Sequence, residues 1–227
     1  MCDDFTPRLK AADLQKLAQQ RMAELQAEGE ELTPVINTTR KLATHFWGSA
    51  WMKQLVHCES GGMCLAPGRT LLRHGCVLDI RIGPCSIRAL VSAEELYEVT
   101  LKLAPPDAEQ LELLATSCGQ HIDSLLSLLE GKMDTAVLQQ LCHPETGLLP
   151  TPADWHMHCT CPDWAEPCPH AAAAIYAAGC LIDKSPELLF TLRGITPDSL
   201  LEAPRQPQSL DTTQLKNIFQ IDLDMPL

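Results

Sequence analysis

The chain has 227 residues, of which 45% are hydrophobic, and a formal net charge of -12. This length is sufficient for one or two domains whose core needs no disulfide support. The acidity repels the phosphate backbone of nucleic acids at long range, which argues against tight, autonomous binding of DNA. The sequence has no run of eighteen apolar residues, and its first residues lack the basic and apolar parts of a signal peptide. We therefore expect a soluble, cytoplasmic protein with no membrane span.

Two helices are predicted before residue 61. In the first, which belongs to an N-terminal arm over residues 1–39, apolar residues recur at helical spacing from Leu14 to Leu25. We expect this arm to pack on the core or on a partner. The second helix begins near Thr44 and places Trp47 and Trp51 on one face. That face is either part of the core or a surface on which nucleic-acid bases stack.

A loop and then a sheet are predicted after the second helix. Four residues that favour turns indicate the loop: Gly61, Gly62, Pro67 and Gly68. From Thr70 to Leu103 apolar residues recur at every second position, which predicts an antiparallel meander of three or four strands with one face in water.

The predicted sheet region carries a small excess of positive charge. Residues 40–102 contain eight Lys or Arg residues and five Asp or Glu residues. We expect four of these arginines on the wet face of the sheet or at its rim: Arg69, Arg73, Arg81 and Arg88. They form either an ordinary solvated surface or a surface that contacts the phosphates of nucleic acid.

Helices and a tail account for most of the remaining chain. After Pro105-Pro106 we predict three short helices, the first capped by Asp107, the second between Ile122 and Leu129, and the third capped by Asp134. Residues 196–227 are expected to be a proline-containing linker and a C-terminal tail. The tail is predicted to be disordered or loosely docked, with a partner-binding helix as the alternative.

The most informative segment contains four candidate metal ligands. Cys159 and Cys161 are two residues apart, so in an extended strand their side chains point the same way. Cys168 and His170 follow, with Pro169 suited to the first position of a helix. Three thiolates and one imidazole complete a tetrahedral, closed set, and the sequence therefore predicts one structural zinc ion per chain.

Other interpretations of these residues exist. Cys159 and Cys161 could form a redox pair, with Cys168 and His170 as ordinary turn residues. A catalytic zinc ion would need an open coordination position, which four protein ligands do not leave. His57 and Glu59 form the H-x-E of a zinc deaminase, but the second cysteine of its P-C-x-x-C is absent. We therefore expect a protein that is not an enzyme and rank a zinc-dependent hydrolase or deaminase last.

Three segments resemble the SWIM-type zinc finger family. Residues 159–170 follow its C-x-C and C-x-H pattern and precede an alanine-rich helix, as in bacterial members. The segment FWGSAWMKQL, residues 46–55, is similar to the W-W-G-x-x-W-x-x-x-L motif of those proteins, and residues 185–194 resemble the helix that follows their finger. The resemblance spans residues 40–195, with the zinc module at about 155–182.

The resemblance implies a role in binding other macromolecules. SWIM-type fingers are regarded as modules that bind DNA or proteins, and the bacterial proteins are commonly encoded beside Swi/Snf-type ATPases. Pro169 stands where a lysine is usual, and the chain is acidic where many relatives are basic. We therefore expect an α+β protein that acts as a protein-interaction adaptor of a Swi/Snf-type DNA translocase. Direct binding of nucleic acid through the four arginines and the zinc helix is the alternative.

Overall fold

The computed structural model describes residues 9–60, 65–119, 135–143, 146–151 and 154–196. The helices in these ranges are α1 Ala11–Ala27, α2 Phe46–Ser60, α3 Ala66–Arg73, α4 Ala108–Gly119, α5 Thr135–Leu141, α6 Pro169–Lys184 and α7 Leu188–Arg193. The strands are β1 Val77–Gly83, β2 Ser86–Ser92, β3 Leu96–Leu103 and β4 Trp155–Cys159. The predicted helix at 122–129, the cap at Asp134 and the tail from residue 197 lie outside the described residues.

The four strands form one antiparallel sheet in the order β1-β2-β3-β4. In β2 and β3 the burial of side chains alternates along the strand, as the period of two in the sequence predicts. β4 pairs with β3, and its alternating residues continue the same two faces. The sheet, the helices and the cysteine-histidine cluster near the end of the described chain confirm the α+β fold class.

The inner face of the sheet is covered by α6, which is the most buried helix among the described residues. Its side chains are buried from Pro169 to Cys180, while Ile87, Val99 and Leu101 face the core from the sheet at 1% exposure or less. The sequence of α6 is rich in alanine, and small side chains let the sheet and the neighbouring helices approach its backbone. The helix therefore lies at the centre of the packing.

Two glycines make the close contacts around α6 possible. A Cβ atom at Gly68 of α3 would lie 2.5 Å from the Cβ of Ala172, and one at Gly179 of α6 would lie 2.4 Å from Cδ1 of Trp51. Trp51 is 1% exposed and donates a hydrogen bond from its indole nitrogen to the carbonyl oxygen of Ile175 at 3.2 Å. Trp51 is therefore a core residue, whereas Trp47 is only partly buried.

The predicted loop is wrong at Pro67 and Gly68, because these residues lie inside α3, while Gly61 and Gly62 lie outside the described residues. Proline is tolerated in the first turn of a helix, where its missing N–H group has no partner to lose. Gly68 serves the contact with α6 and does not break the helix. The turn follows at His74 and Gly75, and Gly75 adopts a positive φ of 70°.

The first helix packs on the sheet at one end of its outer face. Leu14 and Ala18 of α1 are 1% exposed, and Arg21 donates hydrogen bonds to the Ser92 hydroxyl and to the carbonyl oxygens of Ala93 and Glu94. The N-terminal arm is thus attached to the sheet. The rest of the outer face carries exposed polar side chains.

A buried carboxylate joins the end of α6 to the start of α2. Asp183 is 5% exposed and accepts hydrogen bonds from the backbone N–H groups of Thr44 and His45 and from the Thr44 hydroxyl, all at 2.8–2.9 Å. Burial alone would raise the pKa of Asp183, but these donors hold it below its usual value. The carboxylate therefore fixes the two residues that lead into α2, and its negative charge lies near the positive end of the helix dipole.

In the part of the chain that the structure describes, no helix has the length and apolar character needed to cross a membrane.

Candidate metal centre

The four candidate ligands are positioned by the end of one strand and the start of one helix. Cys159 is the last residue of β4, and Cys161 lies in the turn that follows. Cys168 is the N-cap of α6, where its sulfur accepts a hydrogen bond from the N–H of Ala171 at 3.4 Å. Pro169 occupies the opening position of the helix and His170 follows it in the first turn, as the sequence predicts.

These four side chains converge on one point. One ligand atom from each of Cys159, Cys161, Cys168 and His170 lies within 4.8 Å of the others. Ligands around a tetrahedral zinc ion are roughly 3.5–3.8 Å apart, given bond lengths of about 2.3 Å to sulfur and 2.0–2.1 Å to nitrogen. The cluster is thus about 1 Å wider than such a site, so small side-chain movements would suffice for it to hold a metal ion.

The histidine ring is buried beside the thiols. His170 is 3% exposed, and its Nδ1 atom lies 4.0 Å from the sulfur of Cys168. The ring of Tyr97 packs on the imidazole with centroids 4.1 Å apart. Nδ1 is therefore the ring nitrogen placed to bind an ion together with the thiols, and the other nitrogen, Nε2, is buried without a hydrogen-bond partner.

The thiols differ in their electrostatics. Hydrogen bonding with Cys159, and then with His170 and the Ala171 N–H, lowers the pKa of Cys168 to about 4, against the opposing effect of burial. The pKa of Cys159 is raised by the same hydrogen bond and by burial, and that of Cys161 is raised chiefly by burial. The surroundings of Cys168 at the helix N-terminus therefore favour its thiolate form, and a cation would favour ionisation of the other two thiols.

The four arginines predicted as one surface form two separate pairs. Arg69 and Arg73 lie on α3, the helix that packs on α6, and donate hydrogen bonds to the carbonyl oxygens of Arg40 and Thr39. Arg81 and Arg88 are opposite each other on β1 and β2, and both are exposed. Only this second pair therefore lies on the outer face of the sheet.

Further basic groups that the sequence reasoning missed lie on the same outer face. Thr100 of β3 is opposite both Arg88 of β2 and His158 of β4, and Lys102 is opposite His156. The signal was present in the alternation of residues 155–159, which places the two histidines on the polar side of β4. What the sequence could not supply was the pairing of β4 with β3.

The deaminase alternative has no further support. Residue 171, where its second cysteine would stand, is a buried alanine whose N–H group donates a hydrogen bond to the sulfur of Cys168. The side chains of His57 and Glu59 lie outside the part of the chain that the structure describes.

Comparison with known proteins leaves the family open. No protein-family model and no solved structure matches the chain. Among curated proteins it is similar to an uncharacterized protein, Rv2102, of Mycobacterium tuberculosis (strain ATCC 25618 / H37Rv), with 24% identity over 168 residues. The aligned region is 73% of this chain and 60% of that protein, so the chain spans about three fifths of the relative's length.

Proposed function

We propose that the chain is a zinc-binding module of the SWIM type, in which a structural zinc ion supports a protein-interaction surface. The observation that carries this proposal is the convergence of Cys159, Cys161, Cys168 and His170 between a strand and a helix. Three thiolates and an imidazole suit zinc better than a hard cation such as Mg²⁺ or Ca²⁺, which prefers oxygen ligands. The SWIM assignment rests on the sequence motifs.

A structural role follows from the number and place of the ligands. Four protein ligands fill a tetrahedron and leave no position for a reacting water, so the ion would not serve as a catalyst. The ligands connect the edge strand β4 to α6, the helix at the centre of the packing. A metal ion here would hold the last strand and the central helix in register, and we propose that the protein is not an enzyme.

The adaptor role is supported by charge and by the resemblance. The chain has a net charge of -12, and residues 150–195 contain two Lys or Arg residues against five Asp or Glu residues. Such a surface favours a basic protein partner over a nucleic acid. The bacterial proteins that the motifs resemble are commonly encoded beside Swi/Snf-type ATPases, and we propose a translocase of that type as the partner.

Two experiments test this function. Elemental analysis of the purified chain should give one zinc ion per chain, and this value should fall when Cys161 is replaced by serine. Affinity purification of the tagged chain from its own cells should retain a Swi/Snf-type ATPase, and the Cys161→Ser variant should retain less. If the chain binds zinc but retains no such ATPase, the proposed metal site is supported and the proposed partner is wrong.

A second candidate function is direct binding of nucleic acid on the outer face of the sheet. Arg81 and Arg88 are opposite each other on β1 and β2, and Lys102 lies on β3, two residues after the position opposite Arg88. All three are exposed cations on the outer face of the sheet. Arg81 is partly neutralised, because it pairs with Asp79 at 3.0 Å and donates to the carbonyl oxygen of Glu31. This pairing and the acidity of the chain place nucleic-acid binding second.

A mobility-shift assay at low ionic strength distinguishes the two functions, because phosphate contacts are strongest there. Binding that is lost when Arg88 and Lys102 are replaced by glutamine, but not when Arg69 and Arg73 are replaced, would favour the outer face. The absence of any shift with single- or double-stranded DNA at low salt would eliminate this candidate.

A further inference from the structure

One tryptophan in the loop between the candidate ligands Cys161 and Cys168 is almost completely exposed to solvent. Trp164 lies between Cys161 and Cys168, and 97% of its surface is accessible. The next most exposed large apolar residue among the described residues is Ile36, at 54%. Tryptophan is highly buried on average because its ring gains the most from leaving water. Trp164 therefore contributes nothing to the core, and its ring is available for an intermolecular contact.

A cavity of about 320 Å³ lies beside this ring. Met157, Pro162 and Ala171 supply apolar wall, and the three cysteines of the metal cluster border it as well. This volume is at the small end of the range for ligand sites, which is about 300–1,000 Å³. The candidate metal site is part of this cavity, because three of its ligands line it, and a bound ion would take some of the volume. The remaining space suits one side chain of a partner and is too small for a folded element.

The loop that presents Trp164 has a defined conformation. Asp163 accepts a hydrogen bond from the N–H of Ala165 at 3.0 Å, which forms a local turn around the tryptophan. The candidate ligands Cys161 and Cys168 lie on the two sides of the loop. A loop fixed at both ends loses little conformational entropy when a partner binds.

The cavity and its rim carry negative charge. Asp163 and Glu166 both line it and are exposed, and the residues that line it include no lysine or arginine. Three thiolates, a neutral imidazole and a divalent ion would add a net charge of about -1 at the same place. Lys102 lies on the neighbouring strand β3 and is not among the lining residues.

We propose that this cavity and Trp164 bind an arginine or lysine side chain of a partner protein. A guanidinium or ammonium group over the face of an indole is attracted by the electron density of the ring, and adjacent carboxylates strengthen the attraction. Asp163 and Glu166 provide those carboxylates on the two sides of Trp164. The proposal rests on the proposed function as an interaction module and specifies which surface is used and which chemistry it recognises.

A stacked base of single-stranded nucleic acid is the alternative occupant of an exposed tryptophan. Its phosphates would lie close to Asp163, Glu166 and the thiolates, and would be repelled by all of them. The charge of the site therefore favours a basic protein segment, and nucleic acid becomes an outcome of the test.

The test uses the full-length, zinc-loaded chain and a short blocked peptide with two arginines separated by glycine. The same peptide with glutamine in place of arginine is the matched control, and a dT oligonucleotide is the third probe. Binding is measured from the indole N–H signal of Trp164 in ¹⁵N NMR spectra, assigned with a Trp164→Phe variant. We expect the arginine peptide to shift this signal, and the glutamine peptide to bind at least tenfold more weakly.

Variants separate the proposed contacts from the fold. The variants are compared by isothermal titration calorimetry, which does not depend on the Trp164 signal. Trp164→Ala should weaken arginine-peptide binding at least tenfold, and Asp163→Asn with Glu166→Gln should have a similar effect, whereas Ile36→Ala should have none. Because Trp164 is 97% exposed, its replacement should leave the metal content and the thermal midpoint unchanged. Any of four results would overturn the proposal: equal binding of the arginine and glutamine peptides, no binding of either peptide, unchanged binding of the arginine peptide by Trp164→Ala, or binding of the dT oligonucleotide in place of the peptides.

A second measurement separates failure of this site from failure of the proposed function. If the wild-type chain and Trp164→Ala retain the same amount of the partner ATPase in affinity purification, the cavity is not the docking site and the adaptor role stands. If the wild-type chain retains no partner but binds the arginine peptide through Trp164, the site stands and the proposed partner is wrong.

Discussion

Replacing Cys161 with serine should weaken metal binding while leaving most of the packing intact. Cys161 lies in the turn after β4 and is only partly buried, whereas Cys168 is 4% exposed and also caps α6. Serine fills nearly the same space as cysteine but does not replace a thiolate as a zinc ligand. The variant therefore tests the metal ligand with little disturbance of the core.

The expected magnitude follows from the number of ligands. Structural zinc sites have binding free energies of roughly 10–16 kcal/mol, so an equal division over four ligands assigns about 2.5–4 kcal/mol to Cys161. A loss of about 3 kcal/mol lowers the affinity on the order of 100-fold. Because the ion binds the folded chain, each tenfold rise in free zinc above the dissociation constant should add about 1.4 kcal/mol to the free energy of unfolding.

The assay is urea unfolding at a series of free zinc concentrations set by a chelator, together with elemental analysis. In the wild-type chain the unfolding midpoint should rise with free zinc, and in the Cys161→Ser variant the rise should begin at a concentration about 100-fold higher. Cys85→Ser is the matched control, because Cys85 is a partly buried free thiol outside the cluster. A Cys161→Ser chain with one ion per chain and the wild-type zinc dependence would refute the ligand assignment.

Three further predictions concern the helix that carries the metal cluster. Without metal, the free energy of unfolding of Cys168→Ala, measured with urea, should be about 0.5–2 kcal/mol lower than that of Cys168→Ser, because only serine can still accept the capping hydrogen bond from the N–H of Ala171. Gly68→Ala should lower the free energy of unfolding by about 1–3 kcal/mol, since its Cβ would lie 2.5 Å from that of Ala172; a stabilised variant would show that α3 and α6 do not touch there. Asp183→Asn should cost about 1.5–3 kcal/mol at pH 7. The pKa of Asp183 is lowered in the folded state. The extra free energy of unfolding of the wild type over Asp183→Asn is therefore complete above the unfolded pKa of about 4, and it is lost as the pH falls from there through the lower folded pKa. A difference in free energy of unfolding that stays constant from pH 7 to pH 3 would contradict this.

The features that depend on local pattern were predictable from the sequence. The alternation between Thr70 and Leu103 predicts three or four strands, and the structure contains three there, the first of which begins at Val77 because residues 66–73 form α3. The spacing of the three cysteines and His170 predicts the cluster. Both signals arise from neighbours in the chain. A period of two reflects the pleat of a strand, and two cysteines separated by one residue point the same way in extended backbone.

The features that depend on distant residues were not predictable. Asp183 binds the residues that lead into α2, more than 130 positions earlier in the chain, and nothing in the sequence marks that pairing. Gly68 looks like a helix breaker until the backbone of Ala172 is known to lie against it. The division of the four arginines into two pairs likewise depends on which elements face each other, which a single sequence does not encode in its local pattern.

The delayed pairing of β4 with β3 has a consequence for synthesis of the chain. β3 ends at Leu103, and its partner begins at Trp155, with the covering helix α6 later still. Ribosomes add about 5–20 residues per second, so this edge waits about 3–10 s for its neighbouring strand. During that interval β3 offers open hydrogen-bonding groups and an uncovered apolar side to other nascent chains. The candidate metal ligands are translated immediately after β4 begins, so capture of a metal ion by them would coincide with the pairing that closes this edge.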